Sequence, residues 1–284
     1  MINRMLNQCH HMDALELLAS LPDASIDAVI TDPPYAEVDR DYGRFTESEW
    51  MTLMQECVIQ FRRVLKRSGS AMLVLQPNSE SVGKMRLWLW KFMVWCGDYW
   101  NIVQDAYWWN IAQPPSVHSQ RVHGLLRPSV KTLVWLGDPA CYRNQDNVLW
   151  QISDALLAVD KSDMALQVKP SGYSMRAGRM RETAIERGGS TPFNLLPIAN
   201  TNSSSSAGSH GHGAGTPEDL FSWWLRYIVP PDGTVLDPFV GTGTLALEAR
   251  KLGYQFIVGE RDADFVTVTK QRLAEPYTIS MFSL

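Results

Sequence analysis

Two short segments of this 284-residue chain combine residue types that could do chemistry. The first is Thr31-Asp32-Pro33-Pro34-Tyr35, directly after the apolar run Ile26–Ile30. Two consecutive prolines fix φ twice and remove two backbone donors, so the turn is rigid. Pro34 has no N–H to engage the carbonyl of Pro33. That carbonyl and the Asp32 carboxylate therefore form a fork of two acceptors, matched to an exocyclic NH2 group. Tyr35 adds a flat face beside the fork. The second segment is Val235-Leu236-Asp237-Pro238-Phe239-Val240-Gly241-Thr242-Gly243-Thr244. Its glycines let a ligand approach the backbone, and the helix that follows offers free N–H groups. Glu260 lies nineteen residues beyond Gly241, where a carboxylate can accept both hydrogen bonds of a ribose. This pattern suits any adenosine-bearing ligand, NAD and S-adenosylmethionine (SAM) alike.

The elements that must position these segments alternate. Ile26–Thr31 reads as a strand stopped by proline. Thr46–Arg67 reads as a helix with Thr46 as N-cap, Glu49 three residues on and Gly69 after its end. Ser70–Leu75 is a buried strand and Ser81–Cys96 a tryptophan-rich helix. Ile102–Asn110 and Val130–Gly137 form a strand pair around a proline-rich loop, 113–127. Residues 138–198 lose the period, and 199–215 are a low-complexity Ser/Gly/His loop. Thr216 then caps a helix carrying Pro217 in its first turn. Thr234–Asp237 and Tyr254–Gly259 are strands, while Leu245–Leu252 and Ala263–Leu273 are helices. Repeated strand-loop-helix units predict an α/β fold, a mostly parallel sheet with helices on both faces.

Composition narrows the class. The chain is 45% hydrophobic and 20% charged, as in ordinary globular proteins. The most apolar run, Leu87–Cys96, holds Lys91 and is too short to cross a bilayer. The first residues have no apolar signal core. The four cysteines have neither zinc nor disulfide spacing, which gives the expectation of a reduced, cytoplasmic compartment and no membrane. His210 and His212 lack acidic or thiol companions at ligand spacing, so no metal is expected. The net charge of −4 conceals a partition: the first 60 residues carry −8, residues 61–187 carry +7, and residues 188–284 carry −3. A basic middle can steer a nucleic acid. Scattered solvated charge would read the same way.

Taken together, the two segments resemble the permuted β group of DNA amino-methyltransferases, which act on N6 of adenine or N4 of cytosine. Asp32-Pro33-Pro34-Tyr35 resembles their catalytic motif, and Asp237-Pro238-Phe239-x-Gly241-x-Gly243-Thr244 their SAM loop. The lead-in Asp13-Ala14-Leu15-Glu16 and Leu21-Pro22-Asp23-x-Ser25-x-Asp27 is also similar, as is the order, catalytic motif first and SAM loop last. Thr242 stands where the family usually has Ser, and Gly215-Thr216-Pro217 where relatives often have Lys-Pro. The Lys common in adenine-specific relatives is missing around Trp108-Trp109-Asn110.

The resemblance implies a Rossmann-like methyltransferase fold in circularly permuted order. Residues 1–137 would form the catalytic half, 138–215 a target-recognition region with its loop, and 216–284 the SAM-binding half. The implied activity is site-specific methylation of DNA from SAM, with N6 of a flipped-out adenine as the target. N4 of cytosine is the alternative, and an NAD-dependent oxidoreductase a further one that leaves Asp32-Pro33-Pro34-Tyr35 idle. Asp32, Pro33, Pro34 and Tyr35 would be catalytic. Asp237 would hold the methionine end of SAM, Glu260 the ribose and Asp13 the adenine edge. Asp32, Pro238, Phe239, Gly241, Gly243 and Thr244 would complete the cofactor site. For Asp13, a plain helix N-cap explains the residue as well. Arg121, Arg127, Arg176, Arg179 and Arg181 are the candidate DNA contacts, the last three spaced for a strand or loop laid along a groove. The implied partners are double-stranded DNA, a second copy of the chain and a cognate restriction endonuclease.

Overall fold

The computed structural model describes residues 2–39, 43–112, 123–160, 162, 167–168, 174–200 and 215–276. Arg121, His210, His212 and most of the 113–127 and 199–215 loops lie outside these residues. Twelve strands and eight α-helices follow one another among them. They are β1 (Gln8–His11), α1 (Ala14–Ser20), β2 (Ile26–Thr31), α2 (Glu47–Val64), β3 (Leu65–Leu75), β4 (Ser79–Ser81), β5 (Lys84–Met85), α3 (Trp88–Tyr99), β6 (Ile102–Trp109) and β7 (Val130–Gly137). Then come α4 (Asp154–Leu157), β8 (Gln167–Val168), β9 (Ser174–Met175), α5 (Ala177–Arg187), β10 (Leu195–Pro197), α6 (Glu218–Ile228), β11 (Thr234–Asp237), α7 (Thr244–Lys251), β12 (Gln255–Glu260) and α8 (Ala263–Ala274).

The chain divides into two units. Met1–Arg143 with Asn194–Ser283 forms the larger, and Asn144–Phe193 the smaller. In the larger unit, eight strands make one sheet in the order β1-β12-β11-β2-β3-β7-β6-β10. Every pairing is parallel except the two that flank β7. This is the expected α/β methyltransferase architecture. The sheet is also where the two ends of the sequence meet, since β2 pairs with β11. From that seam the chain runs outward through β3 on one side and through β12 on the other. Diverging connections open a crevice at the carboxyl ends of such a strand pair.

Side-chain chemistry explains several boundaries. Thr46 and Glu49 form a reciprocal capping box at the start of α2. The helix ends at Val64 rather than Arg67, because Leu65 is already extended and pairs with Ile26. Gly69 is no helix cap: it sits inside β3 at a register shift against β2, where a Cβ would come within 2.8 Å of the Asp27 carbonyl. The tryptophan-rich helix begins at Trp88, not Ser81, because Gly83 (φ +77°) turns residues 79–85 into a hairpin. Trp50, Trp88, Trp108, Trp135 and Trp224 are fully buried, so much of the tryptophan content is core. In the smaller unit, Arg187 binds Asp146 and Gln145, and Trp150 bridges Ser190.

Asp27 ties the seam. Its carboxylate accepts two bonds from Lys66 Nζ at 2.9 Å and one from the Thr234 N–H of β11, also at 2.9 Å. Asp27→Ala leaves that N–H without its partner, and we expect a loss of about 1–3 kcal/mol. Lys66→Ala should cost under about 1 kcal/mol, because the lysine side chain is 44% exposed. Urea denaturation of the two variants checks the ordering.

Candidate functional site

A cavity of about 630 Å3 opens at the carboxyl ends of β2 and β11. It draws its walls from both candidate segments and from β6, β7 and the start of α1. The acids Asp13, Asp32, Asp237, Glu260 and Asp262 line it, against the bases Lys131 and Arg261.

Asp237 ends β11 and is almost fully buried. Its Oδ1 accepts a 2.6 Å bond from Thr31 Oγ1 and a 3.0 Å bond from the Phe239 N–H. Burial pushes its carboxyl up to about 7, with the Asp32 and Glu260 charges adding and the two hydrogen bonds opposing. The turn that follows is held from behind. Glu260 Oε2 accepts the Gly241 N–H at 3.0 Å and its Oε1 the Asp262 N–H at 2.9 Å. Thr269 and Arg272 of α8 donate to the carbonyls of Gly241 and Thr242. Gly243 has φ +88°, and a Cβ there would lie 2.7 Å from the Thr269 methyl. Only glycine fits this loop between α8 and the cavity. Both Glu260 oxygens are thus engaged by the chain itself, each retaining a second lone pair for a ligand.

At the other wall, β2 delivers Asp32, and the two prolines carry the chain away from the sheet. Trp50 Nε1 of α2 donates to the Pro34 carbonyl, fixing the turn from below. Tyr35 is more than a flat face: its hydroxyl donates to Asp32 Oδ1 at 2.7 Å. Lys131 Nζ donates to that hydroxyl at 2.9 Å and stands 3.7 Å from Asp32 Oδ2. Thr216 Oγ1 donates to Asp32 Oδ2. Thr216 is therefore not the helix cap the sequence suggests. Pro217 occupies that position without a side-chain bond, because the threonine hydroxyl is spent on Asp32.

Asp13 serves twice. Its Oδ1 caps α1 through the Leu15 N–H at 2.9 Å, and the residue also lines the cavity. Pro33, Pro34, Pro238, Phe239, Gly241 and Thr244 are on the lining, and Gly243 sits just behind it. Trp108 lines it too, its Nε1 bonded to the Ile198 carbonyl, whereas Trp109 is 42% exposed. Arg127 lies exposed in the larger unit. Arg176, Arg179 and Arg181 belong to the smaller unit, where Arg176 is extended and the other two are helical rather than on a strand or loop. Arg176 is the N-cap of α5, and the other two lie in its first turns. The interval Arg176–Arg181 favours a helix once Gly188 supplies the left-handed C-cap.

Sequence reasoning missed Lys131, Asn110 and Asn200. Asn110 Oδ1 accepts the Asn200 N–H at 2.9 Å, and Asn200 Nδ2 donates to the Gly215 carbonyl. A lone Lys in the apolar strand Val130–Gly137 is a signal of a sort. It acquires meaning only from the antiparallel register that sets it opposite Trp108. The four cysteines are buried, and burial raises their thiols away from the reactive range. No helix among the described residues is long and apolar enough to cross a membrane.

The lining suits SAM: five carboxylates favour a sulfonium cation, Phe239 and Ala14 offer apolar surface, and the Gly241–Gly243 turn leaves room that a Cβ would fill. Comparison with known proteins agrees. A profile of the DNA methylase family matches residues 26–271. The type II methyltransferase M.PvuII of Proteus hauseri is 26% identical, over 93% of this chain and 82% of its own. M.HinfI of Haemophilus influenzae is 24% identical, over 100% of this chain and 74% of its own. Among solved structures, a cytosine-N4-specific PvuII DNA methyltransferase aligns with TM-score 0.71 at 21% identity, over 94% of this chain and 86% of that one. A SAM complex of M1.HpyAVI aligns with TM-score 0.58 at 16% identity, over 94% and 99%. With the family profile spanning both halves of the cavity, this chain belongs to the SAM-dependent DNA methylases that act on N6 of adenine or N4 of cytosine.

Proposed function

We propose that the protein methylates N6 of adenine at a specific site in double-stranded DNA; the fork at Asp32 carries the amine chemistry, and its carboxylate favours adenine because cytosine-N4 members of the family it resembles more often have Ser at this position. An amine conjugated to a base ring is a poor nucleophile. Asp32 and the Pro33 carbonyl accept its two hydrogens, which draws the nitrogen toward a tetrahedral geometry and frees its lone pair. SAM supplies an electrophilic methyl group when bound. The amine nitrogen forms the new bond to that carbon as the bond to sulfur breaks, and the proton shed by the nitrogen passes to Asp32. The catalysis is positioning and fixed electrostatics. The base must leave the duplex to reach the cavity, and the half-buried Tyr35 offers it an aromatic face.

Asp237 would hold the cationic methionine end of the cofactor, Glu260 the ribose through its remaining lone pairs, and Asp13 the adenine edge. Residues 138–215, which include the compact unit Asn144–Phe193, would read the DNA sequence. Arg176 and Arg179 at the amino end of α5 support this, since cations there oppose the helix dipole and gain from a nearby phosphate. A second copy of the chain and a cognate restriction endonuclease remain proposed partners, the latter because the relatives are named type II methyltransferases.

One observation favours N4 of cytosine instead: the aligned PvuII structure is titled cytosine-N4-specific. Incubation of the enzyme with unmethylated DNA carrying a randomised-site library and isotopically labelled SAM decides between them. Nucleoside mass spectrometry should return N6-methyladenine. N4-methylcytosine as the only product would overturn the adenine assignment.

Asp32→Ala should lower methyl transfer at least ~10²–10³-fold and leave SAM affinity within a few-fold. Calorimetry beside a methylation assay separates the two, and a folded, active variant would exclude the fork.

The raised carboxyl of Asp237 gives SAM binding a pH dependence. Between its ordinary value near 4 and about 7, the folded apo chain holds a proton here that the unfolded chain has lost. This group therefore costs fold stability as pH rises through 7. A cationic ligand favours the ionised form, so SAM affinity should climb from pH 6 to pH 8 with release of a proton. Titration calorimetry in two buffers of different ionisation enthalpy measures that proton. Asp237→Asn should bind SAM weakly and without the pH dependence.

A further inference from the structure

Lys131 is a charged group that the proposed chemistry leaves without a task. It sits on β7, only 17% exposed, with its ammonium 5.3 Å from the Tyr35 ring centre and 5.0 Å from that of Trp108. The Tyr35 hydroxyl, the Asp32 carboxylate and the two aromatic faces hold the cation in this place. Of its three N–H bonds, one goes to Tyr35 Oη. Asp32 Oδ2, at 3.7 Å, is near enough for attraction but beyond hydrogen-bond reach. Donor capacity is thus left beside the carboxylate, on the wall of the cavity.

The juxtaposition of a fixed donor with an acceptor fork selects one kind of base edge. Adenine presents an amine beside the acceptor N1, and cytosine presents one beside the acceptor N3. Guanine sets its N2 amine between the N1–H donor and N3, with N3 crowded by the sugar attached at the neighbouring N9, and thymine has an N3–H and no amine. We infer that Lys131 donates to the ring nitrogen adjacent to the target amine, so that Asp32 and Lys131 together read the amine-and-acceptor edge and reject guanine and thymine. This inference rests on the reading above that the cavity receives a flipped base.

The test uses the full-length enzyme on the duplex site recovered from the library, with the target adenine replaced by 1-deazaadenine, in which N1 becomes C–H. Should the target prove to be cytosine, 3-deazacytosine serves in the same way. The wild type should favour the natural base by about 10- to 100-fold in kcat/KM, the worth of a charge-assisted hydrogen bond. Lys131→Met should lose that factor on the natural base and then treat both bases alike. Lys131→Arg should restore part of the discrimination. If Lys131 merely props Tyr35 and Asp32, Lys131→Met slows both bases equally and keeps the wild-type ratio, which overturns the inference. A wild-type ratio near one overturns it too. SAM calorimetry on Lys131→Met verifies that the variant is folded. Failure of the wild type to methylate either natural base removes the proposed function, a result distinct from loss or persistence of the ratio.

Discussion

The buried hydrogen bond from Thr31 to Asp237 is the constraint on which the rest of the site depends. A carboxylate withdrawn from water needs donors, and here they come from opposite ends of the sequence. Thr31 closes β2, Asp237 closes β11, and 206 residues separate them. Because the bond joins two strand ends, it fixes where both following turns begin. One turn presents Asp32 and its prolines, the other the glycine loop. The crevice between them is a consequence of topology, since the chain leaves the β2–β11 seam in both directions.

Electrostatics then divides the cavity into two tasks. Around Asp237 and Glu260 the acids dominate, a setting in which a cationic ligand relieves repulsion among carboxylates. Around Asp32 the balance is different. Tyr35, Lys131 and Thr216 all point donors at one another or at the carboxylate. The Tyr35 and Thr216 hydroxyls, one on each carboxylate oxygen, hold Asp32 in one orientation. Pre-organisation of this kind would serve the proposed transfer, in which an amine meets its acceptors before it attacks.

How much of this was legible in the sequence follows from whether a feature is local. Asp32-Pro33-Pro34-Tyr35 could be placed because proline chemistry acts within the turn itself. The glycine loop and Glu260 could be placed because strand, turn and helix signals bracket them. Thr216 was misassigned as a cap: its neighbour Pro217 reads as a helix start, and nothing nearby betrays a partner 184 residues away. Lys131 and Asn200 were invisible for the same reason, their meaning resting on strand register and on a turn-to-turn contact. Strands β1 and β10 escaped notice because they are three or four residues long at the sheet edges, and Gln8-Cys9-His10-His11 has no alternating pattern. Arg176, Arg179 and Arg181 were placed as a cluster but not as a helix, since the glycines around them masked the period.

The permuted order costs the site nothing, and the reason is again the seam. Chemistry here requires the ends of β2 and β11 side by side, and parallel pairing imposes no rule on which strand is made first. What the order does change is the connection between halves. It must travel from β7 to α6, and along the way it forms β10 on the far edge of the sheet and the separate unit Asn144–Phe193. A segment free of the sheet's register can vary in length and charge without disturbing Asp32 or Asp237. That freedom suits the role proposed for this segment, the reading of a particular DNA sequence, while the cavity keeps its own geometry.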